Sequence, residues 1–148
     1  MPILIDTNVL LRSVQTFHPM HVVAVRALEV LMQREEPLVV TIQNIAEFWN
    51  VATRPAANNG LGFTIEEAQE ELIKLEGFFQ ILSENASSYA AWKTLLIANR
   101  VSGIQVHDAR LVAVMKAYGI AQIVTFNVSD FTRFLEIEAI HPDKFTEQ

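Results

Sequence analysis

The sequence predicts an α/β fold: a short, mostly parallel sheet of about five strands flanked by helices on both faces. Three observations predict it. Short apolar runs recur at residues 3–5, 38–41, 79–82, 120–125 and 137–140. Segments with apolar residues at helical spacing separate them, the pattern of a parallel sheet with covered faces. The 148 residues contain no repeat, low-complexity tract or composition shift, so one domain over 1–148 is expected.

The elements follow in order. Ile3-Leu4-Ile5 reads as a buried strand and residues 7 to about 15 as a helix. His18-Pro19 marks a new helix start, with Pro suited to the first turn. Val22, Val25, Leu28 and Met32 keep helical spacing until Glu35-Glu36-Pro37 ends the run. After the second strand, residues 42–53 read as a helix with an apolar stripe, Ile42, Ala46, Trp49 and Ala52. Its polar stripe is Gln43, Glu47, Asn50 and Arg54. Residues 55–62, PAANNGLG, are the loosest stretch and predict a mobile surface loop. Thr64 and Glu67 fit a capping box before a helix to about Gly77. Asn85 to Ser88 can cap the next helix, to about Arg100. Residues 107–118 form another, with Leu111, Val112, Met115 and Tyr118 apolar and Gly119 at the C′ position. A polar turn at 126–130 and a helical turn at 131–135 precede the last strand.

Composition removes several classes. Hydrophobic residues make up 51%, too many for a disordered chain. No apolar stretch has the length of a membrane span, and the first residues lack a basic n-region, so neither membrane nor signal peptide is expected. Without cysteine there are no disulfides or thiolate metal sites, and a reducing cytoplasm is the simplest home. The net charge of −6 argues against broad wrapping of nucleic acid. It leaves a nuclease open, because carboxylates gathered around metal ions bias the balance negative.

In such folds ligands sit outside the carboxyl ends of the strands, at the switch in strand order. Asp6 terminates the first strand. Asp108 opens a helix three and four residues before Leu111 and Val112, which aims it inward. Asn127 and Asp130 follow the fourth strand, and Glu47 lies on the helix after the second. Clustered carboxylates repel one another unless a cation neutralises them. All-oxygen donors favour Mg²⁺ or Mn²⁺, and such sites suit metal-assisted phosphodiester hydrolysis.

The segments LIDTNVLLR, NIAEFWNVATRP, VHDARLVAVMKAYG and IVTFNVSDF, with the closing IEAIHPDKF, together resemble PIN-domain ribonucleases. They are most similar to the small single-domain VapC-like toxins. The resemblance implies a PIN-like three-layer fold and places Mg²⁺ or Mn²⁺ ligands at Asp6, Glu47, Asp108, Asn127 and Asp130. It also implies an RNA substrate, a homodimer and an antitoxin partner. One departure is Asn127, where many relatives carry Asp; an uncharged amide there predicts a weaker second metal site.

Around this set, Thr7, Asn8 and Thr125 are expected to orient the ligands, and Arg12 and Arg54 to meet RNA phosphate. His18 and His107 are expected outside the ligand set, and Phe48, Trp49, Phe78, Phe79 and Trp92 in the core or an interface. Other readings compete. A haloacid-dehalogenase-like phosphatase wants an acid where Asn8 stands, and it and a receiver domain both want a lysine after a late strand. A non-enzymatic RNA- or partner-binding scaffold on the same fold is a third.

Overall fold

The structure is a computed structural model that describes residues 1–145; the last three positions of the expected domain lie outside the described residues. The central strand is β1 (Ile3–Ile5), followed by α1 (Thr7–Val14) and α2 (His21–Gln33). Next come β2 (Leu38–Thr41), α3 (Ile42–Thr53), α4 (Ile65–Phe78) and β3 (Gln80–Leu82). The chain continues through α5 (Ala86–Ala98), α6 (Val106–Ala117), β4 (Gln122–Val124) and β5 (Glu138–Ile140). All strand pairs are parallel, in the order β3-β2-β1-β4-β5.

Side chains alternate across this sheet with period two. Ile3, Ile5, Leu38 and Val40 face one way, into a cluster with Leu10, Ala27, Leu31 and Phe48. Leu4, Val39 and Ile123 face the other way, against Leu95, Leu111, Val112 and Met115 of α5 and α6. The result is the expected three-layer α/β arrangement.

The strand order reverses between β1 and β4. From β1 the chain moves outward through β2 and β3, then returns to place β4 on the other side of β1. The residues just beyond these two strands are Asp6 and Thr125. Both remain fastened to the sheet: Asp6 N–H donates to Val124 O and Thr125 N–H to Ile140 O, each at 3.0 Å. A carboxylate at position 6 is therefore held by a rigid ladder at the switch point.

Several local expectations change. The helix expected to start at His18-Pro19 begins at His21, because the His18 ring accepts from Met20 N–H at 3.0 Å and holds a turn there. On α2 the buried face is Ala24, Ala27, Leu28 and Leu31, while Val22 is exposed. The stripe expected on α3 is rotated: Ile42 and Ala46 are exposed, whereas Gln43, Asn44, Phe48 and Ala52 are buried. The reason is that Thr41 both ends β2 and caps α3. Its capping box with Asn44 leaves no linker in which the helix could turn.

The stretch at 55–62 is fastened rather than loose. Leu61 N–H donates to Val51 O and Gly62 N–H to Arg54 O, both at 2.9 Å, and Arg54 Nη2 donates to Asn59 O at 3.2 Å. Gly60 is required there, since a Cβ would stand 1.9 Å from Arg54 O. The turn after β4 tightens into a 3₁₀ segment over Val128–Phe131, earlier than the helical turn expected at 131–135. Among the described residues, no helix is long and apolar enough to cross a membrane.

Candidate active site

Asp6 takes its place because the chain leaves β1 in extended geometry and enters α1 directly, with Asp6 as the cap residue. Its Oδ1 accepts from Thr7 N–H at 2.8 Å. Its Oδ2 accepts from Thr125 Oγ1 at 2.8 Å and from Asn8 Nδ2 at 3.5 Å. Asn8 reaches further: Nδ2 donates to Thr125 Oγ1 at 3.2 Å, and Oδ1 accepts from Phe126 N–H at 3.1 Å. Asn8 and Thr125 thus tie the ends of β1 and β4 together behind the carboxylate.

Glu47 approaches from α3. Its Oε1 accepts from Thr7 Oγ1 at 2.6 Å and its Oε2 from Gln43 Nε2 at 3.1 Å. Thr7 Oγ1 accepts in turn from Asn44 Nδ2 at 3.0 Å. Asp108 sits half-buried in the first turn of α6, and Asp130 lies exposed in the 3₁₀ turn after β4.

These groups act on one another through their charges. Burial pushes the Asp6 carboxyl up to about 6, against stabilisation by Thr125 and Thr7, with Glu47 and Asp130 adding repulsion. Asp108 is also raised to about 6, by burial first and then by the charges of Asp130, Asp6 and Glu47. No basic side chain is among the charges acting on either group. The hydrogen-bond donors to Asp6 and Glu47 are all neutral: a backbone amide, hydroxyls and side-chain amides. They orient the carboxylates and bring no positive charge of their own.

Asn127 is exposed, and its backbone carries its described bonds: N–H donates to Thr125 Oγ1 and C=O accepts from Asp130 N–H, each at 3.0 Å. Among the described residues, no group of three or more Asp, Glu or His is arranged to hold a metal ion as it stands. Glu47 has both oxygens engaged, by Thr7 and Gln43. The donor chemistry nevertheless fits a hard divalent cation: Asp6 and Asp108 feel the charges of the other acids and of no lysine or arginine, while Arg110 acts, of these acids, on Glu47 alone.

The two arginines expected to meet RNA have local partners. Arg12 Nη1 donates to Gln15 Oε1 at 2.6 Å. Arg54 closes the 55–62 loop, with its Nε buried and unpartnered. The basic residue that interacts with Glu47 is Arg110, which is held by Glu84 with Nη2 to Oε1 at 2.7 Å. Gln43, Asn44 and Arg110 are outside the expected set. Gln43 was readable only as part of a solvated stripe, and the capping spacing of Thr41 and Asn44 was the one sequence signal that α3 turns this face inward.

Comparison with known proteins defines the class and then the family. Solved structures share the architecture along nearly the whole chain. VapBC2 from Rickettsia felis, bound to a DNA fragment from its promoter, superposes with a TM-score of 0.67 at 14% identity, covering 95% of this chain and 98% of that one. A toxin–antitoxin complex from Klebsiella pneumoniae gives 0.63 at 16% identity, covering 94% and 96%. VapC20 from Mycobacterium tuberculosis, a Sarcin-Ricin loop cleaving toxin, gives 0.57 at 19% identity, covering 82% and 86%. These likenesses establish a shared fold. No curated protein matches the sequence. The PIN domain model matches residues 3–135, and the chain belongs to the PIN-domain family.

Proposed function

We propose that this protein is a Mg²⁺- or Mn²⁺-dependent endoribonuclease that cleaves RNA phosphodiester bonds, and that it is the toxin of a toxin–antitoxin pair. The carrying observation is that Asp6 is held at the β1–β4 switch point of a PIN domain by Thr7 and Thr125, with the charges of Glu47 and Asp130 acting on it and no cation among them. Such a cluster costs stability at neutral pH, and a divalent ion offsets that cost. Asp6 and Asp108 would form the centre of the cation site, joined by Glu47 and Asp130, with Asn127 as an uncharged donor. When bound, the ion supplies Lewis acidity toward a phosphodiester and toward the water that attacks it. Thr7, Asn8 and Thr125 keep the Asp6 oxygens aimed at the rim, and Gln43 and Thr7 do the same for Glu47. For Arg12 and Arg54 to meet phosphate, each must leave its local partner.

The partner reading rests on a groove of about 570 Å³ between α2 and α4. Val25, Leu28, Met32, Leu75 and Phe78 line it, and Glu71 and Lys74 stand at its rim. An amphipathic antitoxin segment fits a groove of that chemistry. A homodimer in the cytoplasm completes the proposal.

Cleavage of RNA by the purified protein with Mn²⁺ tests the function. Asp6→Asn and Asp108→Asn should each lose about 10²-fold or more; full activity in either variant rejects the assigned site. A second reading, a catalytically weak scaffold, is favoured by Asn127 and by the absence, among the described residues, of a preformed metal-holding group. Calorimetric titration with Mn²⁺ separates the two: a scaffold gives no heat that disappears in Asp6→Asn.

A further inference from the structure

Gln43 opens the first turn of α3, four residues before Glu47, and is more than nine-tenths buried. Its amide orientation is determined by its neighbours. Nε2 stands 3.1 Å from Glu47 Oε2 and 3.0 Å from the carbonyl oxygen of His107. Both are acceptors, so a flipped amide would set its own oxygen against two others. Both Nε2 hydrogens are therefore spent, one on the carboxylate and one on the turn of α6 that carries Asp108. The cost falls on the other end of the amide: Oε1 is buried with no donor.

A leucine of similar size would leave no orphaned oxygen but would take the donor from Glu47 and from the α6 turn, so the amide is kept for what Nε2 holds. A lysine or arginine would hold Glu47 as well, yet would cancel its charge. A neutral two-hydrogen donor orients the carboxylate and leaves it free to meet a cation. We propose that Gln43 is a positioning residue that holds Glu47 in register with the Asp108 turn of α6 without neutralising it. The inference rests on the hydrolytic reading above and extends it to a residue that never needs to touch substrate.

Two measurements test it. In a crystal structure of metal-free Gln43→Leu, Glu47 should leave the rotamer seen here; an unmoved Glu47 overturns the proposal whether or not the protein binds metal. Calorimetry with Mn²⁺ should then give about 10–100-fold weaker binding for Gln43→Leu than for wild type. In a Glu47→Ala background the same substitution should cost nothing further. Independent, additive losses would mean that Gln43 supports the fold rather than Glu47, and would overturn the proposal. A wild-type protein that binds no Mn²⁺ contradicts the metal reading, and the crystal structure still decides the positional one. Gln43→Met, equal in length and apolar, replaces Gln43→Leu if that variant does not fold.

Discussion

Thr7 Oγ1 donates to Glu47 Oε1 at 2.6 Å across 40 residues of sequence. The same residue gives its backbone N–H to Asp6 Oδ1 at 2.8 Å. One threonine thus sets the spacing of two carboxylates from different elements. Its hydroxyl oxygen also satisfies Asn44, which is fully buried at the start of α3.

Thr7→Val keeps the shape and removes both hydroxyl bonds. Stability should fall by about 1–3 kcal/mol, because the Asn44 amide is left short of an acceptor. Mn²⁺ affinity should fall about 10-fold or more as Glu47 is released. Thr7→Ser should recover most of both. Urea denaturation and calorimetry on the three proteins check this, and a Val variant equal to wild type in both would remove Thr7 from the site.

Metal-free stability should depend on pH in a direction the two raised carboxyls fix. Asp6 and Asp108 titrate at about 6 in the folded protein against an ordinary 3.8. Between those values the folded state holds more protons than the unfolded one. Their contribution to stability therefore falls as pH rises from about 4 to about 6, and the penalty is complete above about 7. Asp108→Asn, which removes one such group without breaking a described hydrogen bond, should raise the metal-free Tm at pH 7 by about 2–4 °C. The gain should shrink toward zero near pH 4. Thermal scans in EDTA across that range read the effect, and a lowered Tm at pH 7 would contradict it.

Asn127 should respond to gaining a charge. Asn127→Asp adds a carboxylate to the turn that carries Asp130. Mn²⁺ binding should tighten several-fold, and the metal-free Tm at pH 7 should drop slightly from added repulsion. Calorimetry that finds unchanged affinity would place position 127 outside the cation site.

The loop after α3 offers a stability prediction independent of the acidic cluster. Gly60→Ala would set a methyl group 1.9 Å from a backbone oxygen that cannot step aside cheaply. A loss of about 1–3 kcal/mol is expected from the forced shift. Gly77, with nothing within 4 Å of its would-be Cβ, is the control. Gly77→Ala should leave the urea midpoint unchanged or raise it.

Much of this was legible in the sequence. Strand positions at 3–5 and 38–41 emerge directly, because strands buried on both faces are short and apolar and their ends are marked by Asp6 and by Thr41. Thr64 with Glu67 and Asn85 with Ser88 form capping boxes where the sequence places helix starts. The acids are legible as strand-end and helix-start positions: Asp6 ends β1 and caps α1, and Asp108 lies in the first turn of α6.

What the sequence hid was rotation and reach. On α3, periodicity picks out a stripe of Ile42, Ala46, Trp49 and Ala52, and the structure exposes its first two members. The choice of face is made by Thr41, Asn44 and the junction with β2, and it buries Gln43 while exposing Ile42. The stretch at 55–62 reads as loose because its residues are small and turn-prone. It is held by backbone carbonyls of α3, a partner that composition does not reveal. Arg54 reads as a free cation for the same reason, whereas its guanidinium closes that loop.

Crystals soaked in Mn²⁺ and measured at the manganese absorption edge test most directly whether these carboxylates gather on one ion. An anomalous peak bound by Asp6 and Asp108, with Glu47 or Asp130 turned toward it, is the expected result. Full manganese exposure with no peak at this rim, or a peak held by other residues, would contradict a metal-dependent site at the end of β1.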